Sequence, residues 1–223
     1  MKAYADRREA GLVLAPIVAG AVKGAPEPIV LGLPRGGVPV AAGIAAGLGA
    51  PLDVVVVRKI GFVGHREMAM GAVATVAGTI ETVSNEETPS LLRRLGRRPA
   101  EFTEVADRER LELVRLDRAY RGDRPPLDLA GRTVVLVDDG AATGASLCAA
   151  VGAVRHSDPA RVVIAVPVCL HTAINPLREA ADQLVCPWFP EQFMAVGQAY
   201  QRFDQTEDEE VRAILGMGRE PNR

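Results

Sequence analysis

The chain has 223 residues, 48% of them hydrophobic and 24% charged, with 26 Lys and Arg against 28 Asp and Glu. That length holds one sizeable α/β domain more readily than two, and the composition is that of an ordinary soluble globular protein. A formal charge of −2 gives no electrostatic reason to expect nucleic acid or an anionic membrane surface.

In chain order, the first element expected is a helix over Arg7–Val22. Its apolar stretch Gly11–Val22 has the look of a signal core, but Asp6 and Glu9 precede it and no clear cleavage site follows, so a cytoplasmic protein is expected. "PIVLGL" (Pro28–Leu33) is a solid apolar run and is expected as a strand, followed by a helix over Val38–Leu48. The run Ala41–Val57 is broken by Gly43, Gly47, Gly49, Pro51 and Asp53, which rules it out as a membrane helix. A second strand is expected over "LDVVVVRK" (Leu52–Lys59). Ala69–Val83 is expected as two weak strands turning at Ala77-Gly78, an antiparallel ribbon.

Glu86–Tyr120 is strongly charged and helical in propensity. Phe102, Ala106, Leu113, Leu116 and Tyr120 share one face, interrupted by Glu109. The basic cluster Arg93–Arg98 has no interleaved aromatics and acidic residues on both sides, so it is expected as a solvated helix end. Further strands are expected at "TVVLVDD" (Thr133–Asp139), "RVVIAVPV" (Arg161–Val168) and "DQLVCPW" (Asp182–Trp188), with helices at Ala145–His156 and His171–Ala181. Strands without polar alternation, separated by helices, indicate a parallel sheet covered on both faces. Cys148, Cys169 and Cys186 have no metal-like spacing and are expected as small buried hydrophobes in a reducing compartment.

The most informative segment is "RTVVLVDDGAATGASLCAAV" (Arg132–Val151). A buried strand delivers Asp138 and Asp139 to a loop of small residues that opens a helix. In open α/β sheets ligands gather at such carboxyl ends, and small residues at a helix N-terminus admit a tetrahedral anion. Two carboxylates facing a phosphate would repel it, so they need another task, such as accepting hydrogen bonds from neutral hydroxyls or assisting a metal-bound ligand. A sugar phosphate satisfies both ends; a strand end with an acidic helix cap is the plain alternative. GK[ST], GxGxxG and GxSxG are all absent, so neither a nucleotide P-loop, a dinucleotide fingerprint nor a hydrolase elbow is present.

"VVLVDDGAATGAS" resembles the phosphoribosyl-pyrophosphate (PRPP) motif of type I phosphoribosyltransferases, most closely their stand-alone, poorly characterised members. "LGLPRGG" (Leu31–Gly37) is similar to that family's pyrophosphate loop, where a non-prolyl cis peptide is frequent. "VRKIG" (Val57–Gly61) ends the second strand with two cations, and "FVGHREMAMGAV" (Phe62–Val73) stands in the place of the mobile catalytic loop, with His65 and Glu67 assigned no role. The resemblance covers most of Pro28–Pro187. It implies an α/β fold, an open, mainly parallel central sheet with helices on both faces and a small hood subdomain. Residues 1–223 would form one such domain, with 1–27 and 186–205 as hood segments and 86–120 as a helical insertion.

Carried over residue by residue, the resemblance implies that Asp138 and Asp139 bind the ribose hydroxyls and that Ala142, Thr143, Gly144, Ala145 and Ser146 hold the 5′-phosphate. Arg35, Gly36 and Gly37 would bind pyrophosphate, with Arg58 or Lys59 neutralising it; Arg35, Lys59, Asp138 and Asp139 form the implied catalytic set. Mg²⁺ is the implied cofactor, held mainly through PRPP and with no protein ligand predicted. The implied reaction is transfer of ribose 5-phosphate from PRPP to an unidentified nitrogen nucleophile, a glycosyltransferase step of nucleotide metabolism that releases pyrophosphate. A homodimer stays open as an alternative to a monomer.

The chain departs from the pattern in two places. Ala142 stands where the 6-oxopurine enzymes carry an aspartate, which puts hypoxanthine or guanine chemistry by that route in doubt. Gly140 replaces an aliphatic residue and adds flexibility after the acid pair. For the base, Trp188 and Phe189 of "CPWFPEQFMAVGQAYQRFDQ" (Cys186–Gln205) are the stacking candidates, with packing against the core as their alternative role. A second class of function also stays open, a non-catalytic PRPP- or nucleotide-sensing regulator on the same fold. The RGG loop and paired Arg58-Lys59 favour the enzyme.

Overall fold

The computed structural model describes residues 3–62, 65–84, 88–94, 96, 98 and 100–216. Five short apolar strands, β1 (Pro28–Gly32), β2 (Leu52–Val54), β6 (Thr133–Val137), β7 (Arg161–Ala165) and β8 (Gln183–Val185), pair in parallel in the order β2-β1-β6-β7-β8. Their side chains alternate between two apolar layers, as the two-residue period of a strand requires. Val30, Val135, Val137, Val163 and Ala165 pack with α1 (Arg7–Ala21) and α2 (Gly37–Leu48). Ile29, Leu31, Val134, Leu136, Val162 and Ile164 pack with α5 (Ala145–Arg155) and α6 (His171–Ala180) on the other face. The sheet is therefore buried on both sides, which is why its strands read as solid apolar runs.

One expected strand is two. The run Leu52–Lys59 gives three residues to the parallel sheet as β2 and then crosses to a separate antiparallel ribbon, β3 (Val56–Phe62), β4 (His65–Val76) and β5 (Thr79–Ser84), in the order β3-β4-β5. Val55 at the crossing is buried and still donates to the Gly32 carbonyl at 3.2 Å. Periodicity could not mark the break, because valine is apolar enough for both layers. The turn at Ala77-Gly78 is where the sequence puts it, with φ of 48° and 79°. The segment expected as a mobile loop is ribbon instead: Phe62 ends β3 and His65 begins β4, with Phe62 paired to His65. Residues 63–64 and the side chains of His65 and Glu67 lie outside the described part.

The charged segment 86–120 gives α3 (Thr88–Arg94) and α4 (Ala100–Arg121). Ala106, Leu113 and Tyr120 are buried, and Phe102 and Leu116 pack beside them against Val56, Ile60, Met70 and Val73 of the ribbon. Glu109, the interruption on that face, meets Arg58 of β3 at 2.8 Å. The helix is anchored at its far end by a buried ion pair: Arg121 contacts Asp53 of β2, with Asp117 at 3.3 Å and Arg124 at 3.8 Å completing the cluster. In the basic cluster, Arg93, Arg94 and Arg98 are exposed, and Arg98 pairs with Glu104 at 3.5 Å; Leu95 and Arg97 lie outside the described residues. All three cysteines are free, with Cys169 buried and the other two half-buried. Among the described residues no helix is long and apolar enough to cross a membrane.

The Arg121–Asp53 pair ties α4 to the edge of the main sheet, and removing one partner strands a buried charge. Arg121→Ala is expected to cost about 3 kcal/mol or more in urea unfolding, and adding Asp53→Asn is expected to recover part of that loss. Equal stability of Arg121→Ala and wild type would show that the pair carries no net weight.

Candidate functional site

The site is built where two neighbouring strands end. β1 and β6 pair in register, with Gly32 opposite Val137, so the loops that follow them leave the sheet side by side. Leu33 fastens the first loop to the second strand by donating to the Val137 carbonyl at 2.8 Å. The peptide between Pro34 and Arg35 is cis. Gly36 and Gly37 then start α2 directly beneath Asp138 and Asp139. A Cβ on Gly36 would fall on the Asp139 carboxylate, and one on Gly37 would come within 2.9 Å of the Asp138 Cα. Glycine is required at both positions by this close approach, whatever else the loop binds.

The small loop after the acid pair is held at three points. Ala141 is buried and bridges to the strand extension at Cys169, donating to the Val168 carbonyl at 2.9 Å and accepting from Leu170 at 2.8 Å. The Thr172 hydroxyl donates to the Ala142 carbonyl at 2.6 Å. Gly144, with φ of 76°, caps α5 and packs under Leu177, a left-handed turn that a side chain would resist. Ala142, Thr143 and Ala145 are exposed and Ser146 is half-buried, so the N-terminus of α5 opens to solvent with its dipole aimed at the cleft. Gly140 is not a point of flexibility. A Cβ there would meet Val168 at 2.8 Å and collide with Val196, so its lack of a side chain lets the segment after β8 pack over the acid pair.

Burial pushes the Asp138 carboxyl well above the usual carboxylate range, and the neighbouring Asp139 charge adds to the effect. Asp139 is also raised by burial, but its hydrogen bond and charge attraction to Arg7 oppose the rise. Arg7 is a residue that the sequence offered no means of finding. Its Nε donates to Asp139 Oδ2 at 2.8 Å across 132 positions of chain. The Asp139 N–H donates to Asp138 Oδ1 at 2.9 Å, and the Tyr200 hydroxyl donates to the Asp139 carbonyl at 2.5 Å.

The expected cations are distributed differently from the acids. Arg35 turns its half-buried side chain towards the C-terminal segment, 3.8 Å from Asp208 and 4.0 Å from Glu207. Arg58 and Lys59 do not end a strand of the parallel sheet; both lie inside β3, paired with Val73 and Ala72. Arg58 is taken by Glu109. Lys59 is exposed and lines a cavity of ≈ 190 Å³ with Gly71, Ala72, Val83, Ala145 and Cys148, beside the first turn of α5. Its charge reaches Asp138, favouring the ionised carboxylate.

The structure brings the chain start and the segment after β8 together. Tyr4 bridges to Tyr200, and Trp188 packs edge-on against Tyr4 (6.0 Å) and Phe193 (5.2 Å). Of the two stacking candidates, Trp188 is thus part of an aromatic cluster, while Phe189 is 37% exposed.

Replacing Gly36 by alanine is expected to cost about 1–3 kcal/mol in urea unfolding, as overpacking does. The pH dependence has a definite sign. Because the folded Asp138 holds its proton more tightly than the unfolded chain does, stability is full below the ordinary carboxylate pKa of about 4 and falls as pH rises through the folded value. Asp138→Asn keeps an oxygen for the Asp139 N–H and cannot ionise. It is expected to melt roughly 2–4 °C above wild type at about pH 8 and level with it near about pH 4; a constant difference across that range would refute the burial argument.

Known proteins resemble this chain in sequence and in fold. Residues 15–194 match the family model described as "Phosphoribosyl transferase domain". A protein of Mycobacterium tuberculosis named "Putative phosphoribosyl transferase" is 40% identical over 215 residues, 96% of this chain and 47% of the relative. The chain thus spans about half the length of the curated relatives it matches. The crystal structure of TT1426 from Thermus thermophilus is similar at a TM-score of 0.83 and 44% identity, covering 96% of this chain and 98% of that one.

Proposed function

The chain belongs to the phosphoribosyl transferase domain family, and from that membership we propose that it transfers the ribose 5-phosphate group of PRPP to a nitrogen nucleophile, releasing pyrophosphate. The observation that carries this reading is the convergence of Asp138 and Asp139, the open N-terminus of α5 and the Gly36-Gly37 loop on one cleft. Backbone N–H groups at the exposed residues Ala142, Thr143 and Ala145, with the Ser146 hydroxyl, offer donors to a 5′-phosphate, favoured by the helix dipole. The two carboxylates offer acceptors to ribose hydroxyls. Lys59, exposed and close to the same helix turn, is the cation placed to meet negative charge on PRPP.

Mg²⁺ would come to the site with PRPP, whose oxygens are hard donors of the kind it prefers, and no protein ligand is assigned to it. The chemistry it would supply is charge compensation for the phosphate groups. The chain's residues position the sugar so that its C1 faces the acceptor, and bring donors and positive charge to the oxygens where charge develops. Arg35 would join them by exchanging Glu207 and Asp208 for pyrophosphate. Trp188 and Phe189 stay the candidates for contact with the acceptor, whose chemistry beyond a nucleophilic nitrogen is open to screening.

A regulatory reading draws on one observation, that Arg35 and Arg58 already meet carboxylates of this chain. A sensor of ribose phosphate would need neither cation. The two readings separate in one titration series: PRPP with and without Mg²⁺ against ribose 5-phosphate, followed by assay of pyrophosphate release with candidate bases. The enzyme reading expects PRPP to bind at least about tenfold more tightly than ribose 5-phosphate, since each charge-assisted contact to pyrophosphate adds about 1.5–3 kcal/mol. Asp138→Asn with Asp139→Asn is expected to abolish PRPP binding in a folded protein. Unchanged affinity in that double variant would remove the assignment.

A further inference from the structure

The acid pair is not held by its own loop alone. Arg7 stands in the first turn of α1, and Asp6 caps that helix by accepting from Glu9 N–H at 3.0 Å. From there the Arg7 side chain, 12% exposed, reaches Asp139. Its Nη1 donates to the Asp204 carbonyl at 2.6 Å, and its guanidinium lies 4.0 Å over the Phe203 ring. Phe203 in turn stacks on Tyr200 at 4.9 Å, and Tyr200 bonds the Asp139 backbone. A planar guanidinium fixed at one edge by a carbonyl, on one face by a ring and at Nε by a carboxylate has little freedom left. The Asp139 carboxylate is correspondingly fixed, with the space above Gly36 as its seat.

We propose that Arg7 is a positioning residue for the proposed ribose site: it orients the Asp139 carboxylate towards the sugar hydroxyls and keeps that carboxylate able to accept their hydrogen bonds. The inference rests on the ribose-phosphate reading above for its ligand, but not for the contact itself. Among the described residues, the groups facing the pair are Arg7 from α1, Lys59 from β3 and the Tyr200 hydroxyl from the segment after β8. Lys59 acts on Asp138, and the Tyr200 hydroxyl meets the Asp139 backbone, not its carboxylate. Among the described residues, Arg7 is therefore the charged group in direct contact with the second carboxylate. Two neighbouring carboxylates resist joint ionisation, and the Arg7 guanidinium opposes the rise that burial gives Asp139, which favours the acceptor form of that carboxylate where sugar hydroxyls donate.

The test uses the full chain with Arg7→Gln and Arg7→Lys. Calorimetry with ribose 5-phosphate is expected to show roughly tenfold or greater weakening for glutamine and an intermediate affinity for lysine, which keeps the charge but not the fork. Carbon-13 NMR of the ligand-free protein, with Asp139 assigned through Asp139→Asn, is expected to show its carboxyl titrating at higher pH in Arg7→Gln than in wild type. A side chain that only anchors α1 would lower the melting temperature and leave that midpoint in place. Wild-type affinity together with a wild-type Asp139 midpoint in folded Arg7→Gln overturns the proposal. If that variant does not fold, Arg7→Lys decides: a few-fold weakening supports it and wild-type affinity overturns it. Should wild type bind neither ribose 5-phosphate nor PRPP, the function proposed above fails, while the midpoint comparison still tests the hold of Arg7 on Asp139.

Discussion

Everything in the cleft depends on the in-register parallel pairing of β1 with β6. Parallel strands send their following loops out at the same end of the sheet, and with Gly32 opposite Val137 the two loops emerge in contact. The chain answers with atoms removed: no side chain at Gly36 or Gly37 under the acid pair, none at Gly140 beneath Val196, and none at Gly144 against Leu177. Four glycines at these close approaches let the two loops and their neighbours share one small volume. A ligand that enters there meets main-chain groups and helix ends before it meets long side chains.

Crowding also creates the electrostatic problem of the site. Burial raises the cost of ionising the adjacent carboxyls, and at Asp138 the Asp139 charge adds to it. The fold meets this with charge imported from far away, Arg7 from the first helix and Lys59 from the ribbon. The cations nearest in sequence to the site's other motifs are spent differently, Arg35 on Glu207 and Asp208 and Arg58 on Glu109. Charge near a motif in sequence is therefore a poor guide to charge near a ligand in space. Coulomb attraction acts over a few ångströms of distance, not over positions of chain.

The segment after β8 emerges as more than a covering. Val196 packs over Gly140, Tyr200 bonds the Asp139 backbone, Phe203 and Asp204 hold Arg7, and Glu207 and Asp208 engage Arg35. One run of about a dozen residues thus touches the acid pair, its counter-ion and the RGG loop.

The sequence by itself determined the layered α/β architecture, because solid β-branched runs alternating with amphipathic stretches have few other ways to bury themselves. It also determined the acid pair, the small loop and the glycine pair as one family's motif, since their order along the chain is local and dense. The split of Leu52–Lys59 between two sheets was not legible, for the four consecutive valines at its centre, Val54 to Val57, suit either layer. Nor was the reason for Gly140, which lies in a valine 56 positions later in the numbering. Only the tertiary structure decided that Arg7 and Tyr200 belong with Asp139. Those contacts are made by single side chains across 132 and 61 positions, and a pairing set by the path of the whole chain leaves no periodicity or spacing to read.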